Sequence, residues 1–239
     1  MNRIILLETS VSLCSAALAE DGKLVAYKEC PEPRAHASQA APLVKALLDE
    51  RGLKVKDCDA VCLSKGPGSY TSLRVGSSTA KGLCFGSNLK LLAAGTLDIL
   101  VSQAIDEGLV DADTKFIVPM IDARRMEVYS AVFTPQGKQV TETAPVIVNE
   151  ESFSAQLAEG KVLFIGDGAG KCEGVIKSAN ARFIQTEPKA SGMLRPALEA
   201  WNEKRFEDIA YFEPFYLKQF VATVSKNNIL EDAVKKASK

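Results

Sequence analysis

Apolar and polar positions along the chain fall into two similar series. Residues 3–8 (RIILLE) form a nearly continuous apolar run that predicts a buried strand. Residues 13–19 and 23–29 predict two more strands, joined at Asp21-Gly22. That pair suits a tight hairpin because glycine accepts a positive φ cheaply. Pro31 and Pro33 then interrupt the chain. Ala40, Leu43, Val44, Leu47 and Leu48 recur at helical spacing and predict a helix over 36–51, ended by Gly52. Residues 58–64 predict a fourth strand, and a Gly-Pro-Gly turn leads into a helix over 69–86. LKLLAAG gives a fifth strand, and Thr96 is placed to cap a helix reaching about residue 107.

The order then repeats. KFIVPMI (115–121) predicts a strand, and 126–133 and 138–148 predict two more around Pro135-Gln136-Gly137. Asn149 is placed to cap a helix to Ala158, with Glu150 and Glu151 in its first turn. KVLFIG, a helix, ARFIQ and a helix over about 194–205 follow. The pattern β-β-β-α-β-α-β-α therefore occurs twice, which divides the chain at 1–108 and 109–239, with a C-terminal segment able to pack back on the first unit. A three-strand meander entering a βαβα layout resembles a ribonuclease H-like unit. Its doubling resembles the actin, sugar-kinase and Hsp70 superfamily, and implies an α/β fold of two such subdomains with a cleft between them. A fold alone does not give function.

Of 239 residues, 46% are hydrophobic, enough for one large core or two small ones, and the formal net charge is -1. No basic field of the kind that holds nucleic acid unaided is visible, so any RNA contact is local or shared with a partner. The apolar run of MNRIILLETS ends at Glu8, too soon for a signal peptide, and no stretch approaches a membrane span. Six cysteines without a C-x-x-C pair read as reduced, mostly buried thiols of a cytoplasmic protein. Cys58 and Cys62, four apart in a strand-like run, would share one face about 13 Å apart, too far to share a metal.

Each candidate constellation has a bland reading beside it. Glu8-Thr9-Ser10 ends the first strand, where nucleotide-binding members of that superfamily place an acid followed by a glycine-rich turn. The turn here holds no glycine. Its counterpart, Asp122-Ala123-Arg124-Arg125-Met126, sets bulky side chains where phosphates need room, so neither turn reads as a phosphate clamp. Lys65-Gly66-Pro67-Gly68-Ser69 leads from strand to helix with Ser69 as its cap, and reads either as a tight turn or as an anion site. The helix after it is rich in small residues. These pack either on the chain's own sheet or on a partner. The partner reading is preferred, and it takes Leu73, Gly76, Ser77, Ala80 and Cys84, with Ala40, Leu43 and Leu47 of the neighbouring helix, as the docking surface. His36 is the lone histidine, so a zinc site built on histidines is excluded, along with a metalloprotease reading. Residues 166–172 (GDGAGKC) miss both the Walker and the G-x-G-x-x-G patterns and read as a strand-to-helix turn.

Together, ILLETSVSLCSAAL, the Arg34/His36/Ser38 stretch, KGPGSYTSLRVGSSTAKGL, IDARRMEVYSAVF, FIGDGAG and Tyr216-Leu217-Lys218 resemble the TsaB (YeaZ) family, over about residues 1–218. GPGSYTSLR and DARRMEVY are the specific segments. The family usually carries Asp where this chain has Glu8, and Gly where it has Ser72. The resemblance implies a non-catalytic, cofactor-free, metal-free subunit in the making of N6-threonylcarbamoyladenosine at tRNA adenosine-37. It implies pairing with a TsaD-like catalytic subunit through the first-unit helices, joined by a TsaE-like ATPase, and self-association when alone. It also implies family-motif and cleft roles for Glu8, Thr9, Ser10, Arg34, His36, Gly66, Gly68, Ser69, Arg74, Asp122, Arg124 and Glu127. The alternative is a nucleotide-binding ATPase or small-molecule kinase of the actin-like superfamily, resting on Glu8, Asp122 and the glycines at 166–170.

Overall fold

The structure is a computed structural model and describes residues 2–218. The end of the second expected unit, 219–239, lies outside the described residues. The first series forms β1 (Arg3–Glu8), β2 (Cys14–Glu20), β3 (Lys23–Cys30), α1 (His36–Asp49), β4 (Ala60–Gly66), α2 (Tyr70–Ser87), β5 (Lys90–Gly95) and α3 (Thr96–Asp106). The second forms β6 (Thr114–Asp122), β7 (Glu127–Ser130), β8 (Ala144–Ile147), α4 (Ser154–Glu159), β9 (Lys161–Gly166), α5 (Ala169–Glu173), β10 (Ala181–Gln185) and α6 (Leu194–Asn202).

The two five-stranded sheets have the same topology, β3-β2-β1-β4-β5 and β8-β7-β6-β9-β10. In each, the meander is antiparallel and the crossovers are parallel. This is the doubled ribonuclease H-like fold. β1 is apolar at successive positions because both of its faces are covered. Ile5 and Leu7 pack under α1 and α2 with Leu47 and Leu63, whereas Ile4 and Leu6 pack with Ile99 of α3 and Met193 and Ala197 near and in α6. The other side of α3, through Leu97, Leu100 and Ala104, packs on Ile117, Ile121 and Leu163 of the second sheet. One helix therefore sits between the sheets and belongs to both cores, and α6 returns to the first sheet.

Several local expectations differ from the structure. Thr96 starts α3 and does not cap it: Gly95 is the N-cap, and the Thr96 hydroxyl is buried without a hydrogen-bond partner. Asn149 caps a turn, accepting from the Glu151 amide at 3.0 Å, and α4 begins only after Phe153, whose φ is 61°. β7 and β8 are shorter than expected: β7 stops at Ser130, since Val132 donates to a threonine side chain and Phe133 makes only isolated bridges, and β8 takes only the last part of 138–148. Cys58 precedes β4 and joins one core, while Cys62 joins the other, so the two do not share a face.

Candidate functional site

The C-terminal ends of β1 and β6 open toward each other, and the turns after them face a cleft of about 660 Å³. Ser10 and Ser12, Arg34 and His36, and Gly68 to Ser72 line one wall. Asp122 to Arg124, Tyr129 and Asp167 line the other, and Phe215 to Lys218 run along the cleft.

Glu8 does not face this cleft. It is fully buried, and its Oε1 accepts from the Ser10 amide at 2.5 Å. Burial pushes its carboxyl up to about 7, against the opposing pull of the Ser10 and Ser64 hydroxyls and the Ser10 and Thr9 amides. The turn is held from behind: the Thr9 amide donates to Ser64 Oγ at 3.1 Å, and the Ser69 amide donates to the Ser10 carbonyl at 2.7 Å. Gly68 lies so near that a Cβ there would come within 2.3 Å of that carbonyl oxygen. The glycine of this turn therefore allows contact between chain segments.

Asp122 is engaged on three sides. Its own amide donates to Asp167 at 2.9 Å, and its Oδ1 accepts from the Arg124 amide at 2.6 Å and from Lys171 Nζ at 2.5 Å. Lys171 also donates to the Glu127 carbonyl. Arg124 and Arg125 both adopt positive φ, 70° and 51°, which turns the loop tightly without glycine. Burial pushes Asp167 up to about 6, with the nearby Asp122 charge adding to the rise and the Asp122 amide opposing it. Gly166 has φ 136°, and a Cβ on it would meet the Met120 carbonyl at 2.2 Å. The glycine-rich segment after β9 thus seats α5 against β6.

Of the remaining positions named from the sequence, Gly66 lines a second cavity of about 420 Å³, with Lys65, Asp98 and Phe215. Arg74 stacks on the Tyr70 ring at 4.5 Å, Tyr70 meets Tyr216 at 4.7 Å, and Glu127 pairs with Lys218. Ser69 caps α2, although the Ser72 amide stands 3.5 Å from its Oγ. Asp167 and Ser12 were not singled out. A short acid between two glycines after a strand was the signal available for the first, and Ser12 carries no signal beyond its place in the turn.

The expected docking residues do not face outward. Leu73, Gly76, Ser77, Ala80 and Cys84 line the inner face of α2, and Ala40, Leu43 and Leu47 the inner face of α1. All eight are buried; Leu47, Leu73, Ala80 and Cys84 have no exposure at all. The small side chains let α2 approach β1: a Cβ on Gly76 would stand 2.1 Å from Thr9 Oγ1. The outward stripe of α2 is instead Thr71, Arg74, Ser78, Gly82 and Phe85, the last 84% exposed.

Among the described residues, no group of three or more His, Cys, Asp or Glu side chains is placed to hold a metal ion, and no helix is long and apolar enough to cross a membrane.

A family model described as "TsaD: tRNA N6-adenosine threonylcarbamoyltransferase" matches residues 31–156. The tRNA threonylcarbamoyladenosine biosynthesis protein TsaB of Escherichia coli K12 is 30% identical, over 92% of this chain and 96% of that one. The protein of the same name from Bacillus subtilis is 25% identical, over 90% and 93%. Among solved structures, YeaZ from Pseudomonas aeruginosa superposes with a TM-score of 0.76 at 27% identity, covering 91% of this chain and 100% of that one.

Proposed function

The chain belongs to the TsaB family, and on that premise we propose that it is a subunit without chemistry of its own in the formation of N6-threonylcarbamoyladenosine in tRNA. The observation that carries this reading is the state of the two acids at the ends of β1 and β6. A metal or phosphate centre in such a cleft needs a free carboxylate and room beside backbone amides. Glu8 is sealed into the core, away from the cleft, and Asp122 is ion-paired with Lys171 and tied to its own loop. The same two facts weigh against the ATPase or kinase reading.

Its work is then to hold a TsaD-type catalytic subunit in an active form, together with a TsaE-type ATPase. The surface offered is the outer face of α2, together with the exposed Ala37 and Ala41 of α1, the helix packed against it. An exposed Phe85 set among small neighbours suits close helix packing. The same face accounts for self-association when the partner is absent. The test is reconstitution of the modification from purified TsaD-type and TsaE-type proteins, with and without this chain. Stimulation is expected on its addition, and full activity without it overturns the reading. Binding of Mg-ATP by the isolated chain at micromolar concentration would instead favour an ATPase.

A further inference from the structure

Cys14 and Cys30 stand directly opposite each other where β2 pairs with β3. Opposed residues of an antiparallel pair have Cα atoms about 4.5–5.5 Å apart, inside the range of roughly 4.4–6.8 Å that a disulfide spans. Both side chains enter the same core, beneath α1: Cys14 is a member of that cluster, and Cys30 packs against its edge. No other cysteine among the described residues has one opposite it. Cys62 lies across from Leu6 and Leu92, Cys84 and Cys172 are on separate helices, and Cys58 precedes its strand. The two thiols also differ in access: Cys14 has no exposed surface, whereas Cys30 is partly exposed.

We infer that Cys14 and Cys30 are a redox modification site, converted by a peroxide into an intramolecular disulfide that fastens the start of β2 to the end of β3. Peroxide reaches Cys30 first. The Cys30 thiolate sulfur attacks a peroxide oxygen, the O–O bond breaks, and a sulfenic acid and hydroxide result. The Cys14 sulfur then attacks the Cys30 sulfur, the S–S bond forms, and the hydroxyl departs with the Cys14 proton as water. Two thiols are oxidised and one peroxide becomes two waters. Burial pushes the Cys14 thiol up to about 12, in keeping with its being the second thiol to react.

The place matters for the cleft. Cys14 follows Ser12 closely and Cys30 precedes Pro33 and Arg34, all three of which line the cleft wall. A bond between the cysteines fixes the end of the hairpin from which both rim segments leave. Register, a shared core and unequal access carry the inference, which does not depend on the function proposed above.

The experiment treats the full chain with hydrogen peroxide under native conditions, then unfolds it and alkylates the remaining thiols. The expected result is a monomer in which two of the six cysteines escape alkylation, a linked Cys14–Cys30 peptide, and full recovery of both thiols with dithiothreitol. Cys14→Ala should leave Cys30 as a sulfenic acid that dimedone traps. A Cys30 sulfinic acid beside a free Cys14 thiol in the unmodified sequence would overturn the inference. So would a linkage to any other cysteine, or six alkylated thiols after excess peroxide.

Discussion

Two glycines within α2 permit an internally controlled test of how closely that helix is pressed onto β1. In an exposed helix interior, replacing glycine with alanine gains about 1 kcal/mol from propensity and a less costly unfolded chain. Gly82 meets this condition, since a Cβ there would find nothing within 4 Å. Gly76→Ala earns the same propensity but drives its methyl to 2.1 Å from Thr9 Oγ1 and 3.2 Å from Thr9 Cβ. Thr9 is 1% exposed and β-branched, so it has few rotamers into which to retreat. Overpacking of this kind costs about 1–3 kcal/mol, which cancels or exceeds the gain. The two variants should therefore differ by about 2 kcal/mol, or about 4–8 °C in melting temperature, with Gly82→Ala above the parent and Gly76→Ala below it. Thr9→Ala removes the obstructing oxygen, which is buried without a hydrogen-bond partner. The double change Thr9→Ala with Gly76→Ala should recover most of the loss. Urea or thermal unfolding reads the parent and all four variants. Equal stability of the Gly76 and Gly82 variants, or no recovery in the double variant, would refute the close approach of α2 to the β1 turn.

Three further outcomes are expected. The Glu8 carboxyl titrates at about 7 in the folded chain against an ordinary 4.5, so the folded state holds a proton that the unfolded state has released. Its contribution is present below about pH 4.5 and is lost as pH rises through 7, a change on the order of 3 kcal/mol. Glu8→Gln should remove that slope from a stability-against-pH profile, and parallel profiles for the two proteins would count against the sealed carboxyl. Gly68→Ala brings a methyl to 2.3 Å from the Ser10 carbonyl, a backbone atom that cannot swing aside, and should cost about 2 kcal/mol or more by urea unfolding. Ser78→Arg, on the outer face of α2, should weaken association with a TsaD-type subunit while leaving the melting temperature within about 2 °C. Ala80→Arg buries a charge at a position with no exposure and should instead lower stability severely. Size-exclusion and melting curves separate the two cases, and equal effects would remove α2's outer face as the partner surface.

The doubled βββαβαβα order was legible because each element carries its own short-range pattern: continuous apolar strands, helical spacing at Ala40 to Leu48, and turn residues at Asp21-Gly22 and Gly52. The acids at Glu8 and Asp122 and the missing glycines after them were visible for the same reason. Which side of a helix faces out was not. The small residues of α2 suit an inner face and an outer face equally well, and only the approach of the helix to Thr9 and Ser10 decides that Gly76 and Ala80 point inward while Ser78 and Phe85 point outward. The fate of each acid was equally hidden. A carboxylate is available or spent according to whether Ser64, Lys171 or Asp167 stands beside it, and those neighbours lie between 45 and 56 residues away in the chain. Local sequence determined the elements and their order, because secondary structure follows from nearby side chains. Tertiary structure alone decided exposure, charge state and the pairing of Cys14 with Cys30, because each depends on what the fold brings into contact.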